Sequence, residues 1–308
     1  MSTLAADPPH VIKPRRVRFD WADTPLHWIP EDPQTTHTIN VLHLLLPAGE
    51  KWFVEVYRQA LPLIDDPALA VDVKGFMGQE AVHSRAHAAV LDHLREQGLD
   101  PSPYTDRIEW MFGRLLGDEP LGRPMPKRLQ GAWLKQRLAI IAAVEHFTAV
   151  LGMWVVASPG LDASHADPVM LDLLRWHGAE EVEHRSVAFD AFQHVSGSYF
   201  RRVETMVVSA IMLTYLWIRG TRFFLEADPL HPPAANWKAF FRAGRRGRLP
   251  TLRAMFGSVP NYLKPSFHPS QEGSLEPALA YLASSPAAQA ASMASAAPDA
   301  SAGSTAAS

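Results

Sequence analysis

From Thr36 to about Gly197 the apolar and polar positions read as a succession of long helical segments. The first runs from about Thr36 to Ala60, with Pro47 as an expected break or kink. A second opens at Asp66-Pro67, a cap followed by proline in the first turn, and closes at Gly98. A shorter helix is expected over residues 104–116. A third long segment runs from Pro126 to about Ala157, and a fourth from Asp167-Pro168 to about Gly197. Residues 198–226 add a fifth, and 234–270 read as shorter helices and turns. No alternating apolar runs bounded by tight hairpins occur. Long helices joined by modest connections predict an all-α bundle. Three regions follow: an extended arm over 1–35, a helical domain over 36–270, and an Ala/Ser-rich tail over 284–308 that is expected to be disordered.

Composition changes this picture little. Of 308 residues, 47% are hydrophobic and 20% charged, which is ordinary globular composition. A formal net charge of -3 gives no overall electrostatic case for nucleic acid. Cysteine is absent, which removes disulfides, thiolate metal sites, iron–sulfur clusters and cysteine nucleophiles together. The N-terminal stretch lacks the apolar run of a signal peptide, and the expectation is a cytoplasmic protein. The longest apolar run, Met206–Ile218, is shorter than the roughly 18 residues of a spanning helix and reads as a core helix. The basic stretch KAFFRAGRRGRLPTLRAMF follows it, so peripheral membrane contact through residues 206–256 stays open. A homodimer stays open as well.

The chemistry sits on the helices. Glu-x-x-His occurs twice, as EAVH at Glu80–His83 and as EVEH at Glu181–His184, each within a long helical segment. Residues three apart on a helix share a face, so each pair offers a carboxylate beside an imidazole. Glu145 is the only acid in LAIIAAVEHFTAVLGMWVV, a segment apolar all round and therefore buried. A lone carboxylate there has to be neutral, paired or metal-bound. Glu50 follows Pro47 in the first segment. His177 precedes Glu181 by four residues and shares the face of His184. One Glu from each of two helices, plus Glu-x-x-His from each of two more, is the ligand set of ferritin-like di-iron and di-manganese carboxylate proteins. Four carboxylates offset the charge of two divalent cations, and imidazoles complete the shells.

Each residue also has a plainer account. Glu80 and His83 could be a hydrogen-bonded pair. Glu145 could pair with Arg137 or Lys135. Glu50 could be a solvated acid at a helix N-terminus. His177 could support a ligand rather than be one. Glu180 competes with Glu181 for the second motif. His87 is placed one turn off the site, and His146 points about 100° away from Glu145.

The stretches TINVLHLLLPAGEKWFVEVYRQ, GFMGQEAVHSRAH, AAVEHF and HGAEEVEHRSVAFD resemble a bacterial family labelled predicted metal-dependent hydrolases, over about Arg15 to Pro269. The order His177, Glu181, His184 also resembles the last ligand helix of the p-aminobenzoate N-oxygenase di-iron family. That second resemblance implies a ferritin-like bundle with an O2-activating di-iron centre. By it, Glu80 and Glu181 bridge the metals, Glu50 and His83 complete one shell, and Glu145, His177 and His184 the other. An arylamine substrate does not carry over.

The leading expectation is therefore an oxygenase or oxidase with two metals, iron first and manganese or zinc as alternatives. It acts on a small organic substrate and takes electrons from a ferredoxin or flavin reductase. The alternatives are a metal-dependent hydrolase and a non-catalytic iron-binding or scaffold protein.

Overall fold

The computed structural model describes residues 11–296. Among them, all regular structure is helical. The arm over residues 11–32 is irregular and sinks Trp28 and Ile29 into the core. Helix α1 spans Pro33–Ala60. Asp32 caps it by accepting from the Thr35 N–H, and Pro33 fills the first turn. Helix α2, Pro67–Glu96, opens the same way, with Asp66 accepting from the Ala68 and Leu69 N–H groups. Helix α3, Ser102–Trp110, passes into a π-helical turn over Met111–Leu115. Helix α4 covers Lys127–Val156 and the short α5 Pro159–Asp162. Helix α6, Pro168–Glu183, is capped by Asp167, which accepts from the Met170 N–H. Then follow α7 (Val187–Val195), α8 (Tyr199–Ala227), α9 (Trp237–Arg245), α10 (Leu252–Phe256), α11 (Val259–Tyr262), α12 (Glu276–Ser284) and α13 (Pro286–Ala296).

Helix α1 packs on α2 and α4 on α6, while α8 lies against both α1 and α4. One apolar cluster gathers Trp28, Leu44, Trp176 and Phe224. A second gathers Tyr57, Phe76, Leu138 and Phe192. Each such side chain contributes roughly 1.5–3 kcal/mol when fully buried. The two clusters flank the polar centre. The Trp176 ring meets His83 edge-on at 5.1 Å, and the Phe76 ring meets His184 edge-on at 4.8 Å.

Four expectations change. Helix α1 runs unbroken through Pro47, whose carbonyl accepts from Ser84 Oγ of α2 at 2.8 Å. The neighbouring helix thus packs along the turn that holds Pro47, without replacing the backbone bond to residue 43 that proline cannot make. The fourth long segment is two helices, because the chain leaves helical geometry at His184 (φ -103°, ψ 11°) and resumes at Val187. The Ala/Ser tail is helical as far as Ala296 and buries Ala287 and Ala288; its remainder, 297–308, lies outside the described residues. Finally, the apolar run read as a core helix lies on α8 with Val207, Val208, Ile211, Met212 and Tyr215 exposed. By length and composition both α4 and α8 are long and apolar enough to cross a membrane. Most of the apolar window of α4 is buried in the protein, whereas only 22% of that of α8 is.

Candidate metal centre

Four helices converge on one buried cluster. Helix α1 brings Glu50, α2 brings Glu80 and His83, α4 brings Glu145, and α6 with its C-cap brings His177, Glu181 and His184. None of the seven is more than 4% exposed. Glu50 lies in the middle of an intact helix, so the account of a solvated N-terminal acid fails. Glu145 has no cation on its own helix as partner, because Arg137 pairs with Asp118 at 2.6 Å. His146 turns away and meets Ser258 Oγ at 2.9 Å.

The cluster has two sides that share two carboxylates. On one side Glu50, Glu80 and His83 place ligand atoms within 4.8 Å of one another. His83 Nδ1 sits 3.6 Å from Glu80 Oε1 and 3.5 Å from Glu181 Oε1. On the other side His184 Nε2 lies 3.4 Å from Glu80 Oε1, 3.3 Å from Glu181 Oε2 and 3.2 Å from Glu145 Oε2. Glu80 and Glu181 therefore face both sides. His177 departs from the resemblance-based assignment. Its Nε2 is 2.7 Å from Glu181 Oε1 and 3.6 Å from Glu50 Oε1, and its ring lies against His83. It joins the Glu50 side rather than Glu145 and His184. The reason is axial rise: His177 and His184 are separated by about two helical turns, roughly 10 Å, with Glu181 between them.

Outer contacts fix which nitrogen of each imidazole faces inward. His83 Nε2 meets Glu180 Oε2 at 2.8 Å, leaving Nδ1 for the centre. His184 Nδ1 donates to Gln79 Oε1 at 2.9 Å, leaving Nε2. Gln79 Nε2 in turn donates to Glu183 Oε2 at 2.6 Å. Arg15 from the arm closes the ring. It donates to Glu180 at 2.7 Å and forks onto Glu183 at 2.8 and 2.9 Å. His177 Nδ1 faces His87 Nε2 at 3.0 Å, and His87 Nδ1 faces His43 Nδ1 at 2.7 Å. Such outer partners orient metal-ligating histidines.

Glu180 thus holds His83 from outside, and Glu181 occupies the centre. Sequence reasoning missed Arg15, Gln79, Glu183 and His43 as parts of the site. A usable signal was the excess of acids in EEVEH, on a helix with too little surface to solvate them.

The electrostatics favour a bound cation. Both oxygens of Glu50, Glu80 and Glu145, and Nδ1 of His83, are buried without a hydrogen-bond partner. Burial, with the nearby carboxylates, pushes Glu50 and Glu145 well above the usual carboxylate range. Burial would also raise Glu181, but His184 and His177 reverse that and hold it well below. Burial opposes charge on His83 and His184, yet the surrounding carboxylates raise both well above the ordinary histidine value. Orphaned inward-facing oxygens beside inward-facing imidazole nitrogens fit divalent cations, which would satisfy them and neutralise the crowding.

Searches of curated proteins and of solved structures found no match. The ferritin-like comparison therefore rests on ligand order alone. A family model described as "Predicted metal-dependent hydrolase" matches residues 13–273. This finding overturns the leading expectation of an O2-activating oxygenase and favours the hydrolytic alternative. With the match spanning most of the chain and a buried Glu/His cluster at its centre, the protein belongs to the predicted metal-dependent hydrolase family.

Proposed function

We propose that the chain hydrolyses a small-molecule ester or amide bearing a long apolar group. In this proposal Glu50, Glu80, His83, Glu145, His177, Glu181 and His184 hold two divalent cations, drawn from iron, manganese or zinc. The observation that carries the reading is a cavity of about 210 Å³ that runs between α1, α4, α6 and α8 and reaches His177 and Glu181. Bound cations supply Lewis acidity and a water acidic enough to act as nucleophile near neutral pH.

The chain's own residues do the rest. Glu80 and Glu181 face both sides of the cluster and would offer a carboxylate oxygen to a cation on either. The ring through Arg15, Glu180, Glu183 and Gln79 keeps His83 Nδ1 and His184 Nε2 directed inward. Phe147, Leu151, Leu174 and Trp217 wall the cavity and exclude water, which strengthens every charge interaction at its inner end. Its threonines add almost no polarity. Thr38, Thr148, Thr214 and Thr221 donate their hydroxyl protons to backbone carbonyls of their own helices, at 2.7, 3.0, 2.7 and 2.9 Å. An apolar chain fits such a wall better than a sugar or a nucleotide. Arg222 stands at the exposed end. Hydrolysis needs no electron-donor protein, so the ferredoxin or flavin-reductase partner is dropped from the proposal.

The test is turnover of p-nitrophenyl esters of increasing acyl length, with protein reconstituted separately with Mn(II), Fe(II) and Zn(II), in air and under nitrogen. The expected result is metal-dependent hydrolysis that rises with chain length and is indifferent to O2. Hydrolysis with no metal at all, turnover only in air, or no turnover of any ester or amide overturns the proposal.

A further inference from the structure

The cavity opens beneath an unusual patch of surface. Trp237 of α9 and Leu252 of α10 both line it and stand 54% and 46% exposed. On α8, the cavity-facing positions Ala210, Thr214 and Trp217 lie about 100° around the helix from Phe200, Val208, Ile211 and Tyr215. That second stripe is open to solvent, with Phe200 85% exposed and Ile211 63%. Helix α9 carries Trp237, Phe240 and Phe241 on one face and Lys238, Arg242 and Arg245 on the adjoining face, about 100° around the helix. The outer stripe of α8, which also carries the exposed Glu204 and Arg222, and the rim residues Trp237 and Leu252 are thus both open to solvent, and the rim leads into the cavity.

Charge decides what covers it. From Pro229 to Gln271 the sequence contains seven Lys or Arg and no Asp or Glu. Lys238, Arg242, Arg245, Arg246 and Arg253 are exposed. None of these five has an ion-pair partner among the described residues. A second copy of the chain meeting this patch through a two-fold axis would set these cations against themselves. A surface of negative charge over an apolar interior has the complementary order of layers. Exposed aromatic and aliphatic side chains beside a basic face are the composition of helices that lie in a bilayer interface.

We propose that the outer face of α8, together with α9 and α10, docks on an anionic lipid bilayer, and that the cavity takes an acyl chain directly from it. The docking does not rest on the hydrolytic proposal. Helix α8 lies in the interface rather than spanning it, because its other side packs on α1 and α4. Trp237 and Phe241 enter the headgroup region, and Lys238, Arg242 and Arg245 meet lipid phosphates, as basic residues beside a charged membrane surface do.

The experiment is co-sedimentation of the full chain with vesicles of phosphatidylcholine alone and of phosphatidylcholine mixed with phosphatidylglycerol. The variants are Arg242→Glu/Arg245→Glu, Trp237→Ala/Phe241→Ala and Ile211→Glu, each checked for native helicity by circular dichroism. The wild type is expected to bind the anionic vesicles at least about tenfold more tightly than the neutral ones, and to be released by salt. Either double variant should lose most of that binding. The proposal is overturned if the wild type stays in the supernatant with both vesicles, or if both double variants bind as the wild type does. It is also overturned if gel filtration shows a stable dimer that Ile211→Glu converts to monomer, which would place a second copy on the face.

Discussion

His83 and Glu180 face each other across the outside of the metal centre, with Nε2 and Oε2 2.8 Å apart and both residues fully buried. The contact commits Nδ1 of His83 to the centre. Removing the carboxylate in Glu180→Ala frees the ring to rotate and leaves Arg15 short of a partner. Metal affinity is expected to fall about 10–100-fold, as when other outer partners of metal ligands are lost. Glu180→Gln keeps an acceptor and should lose less. Titration against a chelator of known affinity checks both.

Arg15 reaches the same histidines by a longer route. Burial weighs against its charge, but Glu183 and Glu180 outweigh it and hold the guanidinium ionised. Arg15→Ala takes the guanidinium away from two buried carboxylates, and a loss of about 3 kcal/mol is expected. Arg15→Lys should recover only part of this, because an ammonium cannot fork onto Glu183 as the guanidinium does. Urea unfolding of the metal-free protein measures both variants without interference from metal affinity.

Glu145 has the opposite stability signature. In the metal-free protein its carboxyl is pushed toward the neutral form by burial and by Glu181 and Glu80. Glu145→Gln removes that conflict with little change in shape. The metal-free variant is expected to melt at or above the wild-type temperature, while metal content and metal-dependent stabilisation both fall. A metal-free variant that melts well below wild type would show that Glu145 holds the fold without metal.

His146 predicts a pH dependence away from the centre. Burial lowers its pKa to about 4, from the ordinary 6.5. Below pH 6.5 the unfolded chain takes up a proton that the folded chain refuses, so stability falls as pH drops toward 4. Between pH 7 and pH 5 this histidine alone should cost roughly 2 kcal/mol. Urea midpoints at the two pH values should show the wild type losing more than His146→Gln by about that amount.

The approach of α4 to α6 gives a packing prediction. A Cβ on Gly178 would fall 2.6 Å from Val155 Cγ1 and 2.9 Å from Gly152 Cα. Gly178→Ala therefore forces the helices apart, at about 1–3 kcal/mol. The neighbouring His177 should shift with it. The expected result is a lower melting temperature together with weaker metal binding.

The starts of α2, α6 and α8 were legible because their cause is local: Asp66, Asp167 and Ser198 each accept from N–H groups two or three residues on, whereas the cap at Asp32 starts α1 three residues before the expected Thr36. The inward-facing Glu and His residues were legible because burying them without a purpose is costly, and an apolar helix shows such a conflict within a few residues. What the local pattern could not show depends on distant partners. Pro47 reads as a break until packing against α2, where Ser84 Oγ reaches the Pro47 carbonyl, holds the turn in place. His177 is compatible with either side of the cluster until Glu50 is placed. Arg15 sits in an irregular arm, and its link to Glu183 spans 168 positions of the chain. The end of α6 at His184 has no proline or glycine to announce it.

Gly152 and Gly178 both line the cavity, and their backbones touch. At that point of contact the wall is main chain, which substitution cannot trim. Selection for a longer or shorter ligand has nothing to act on there. Divergence in ligand size among relatives of this chain should therefore fall on the side-chain lining, such as Leu42, Leu151, Leu174 and Trp217, and spare the glycine pair.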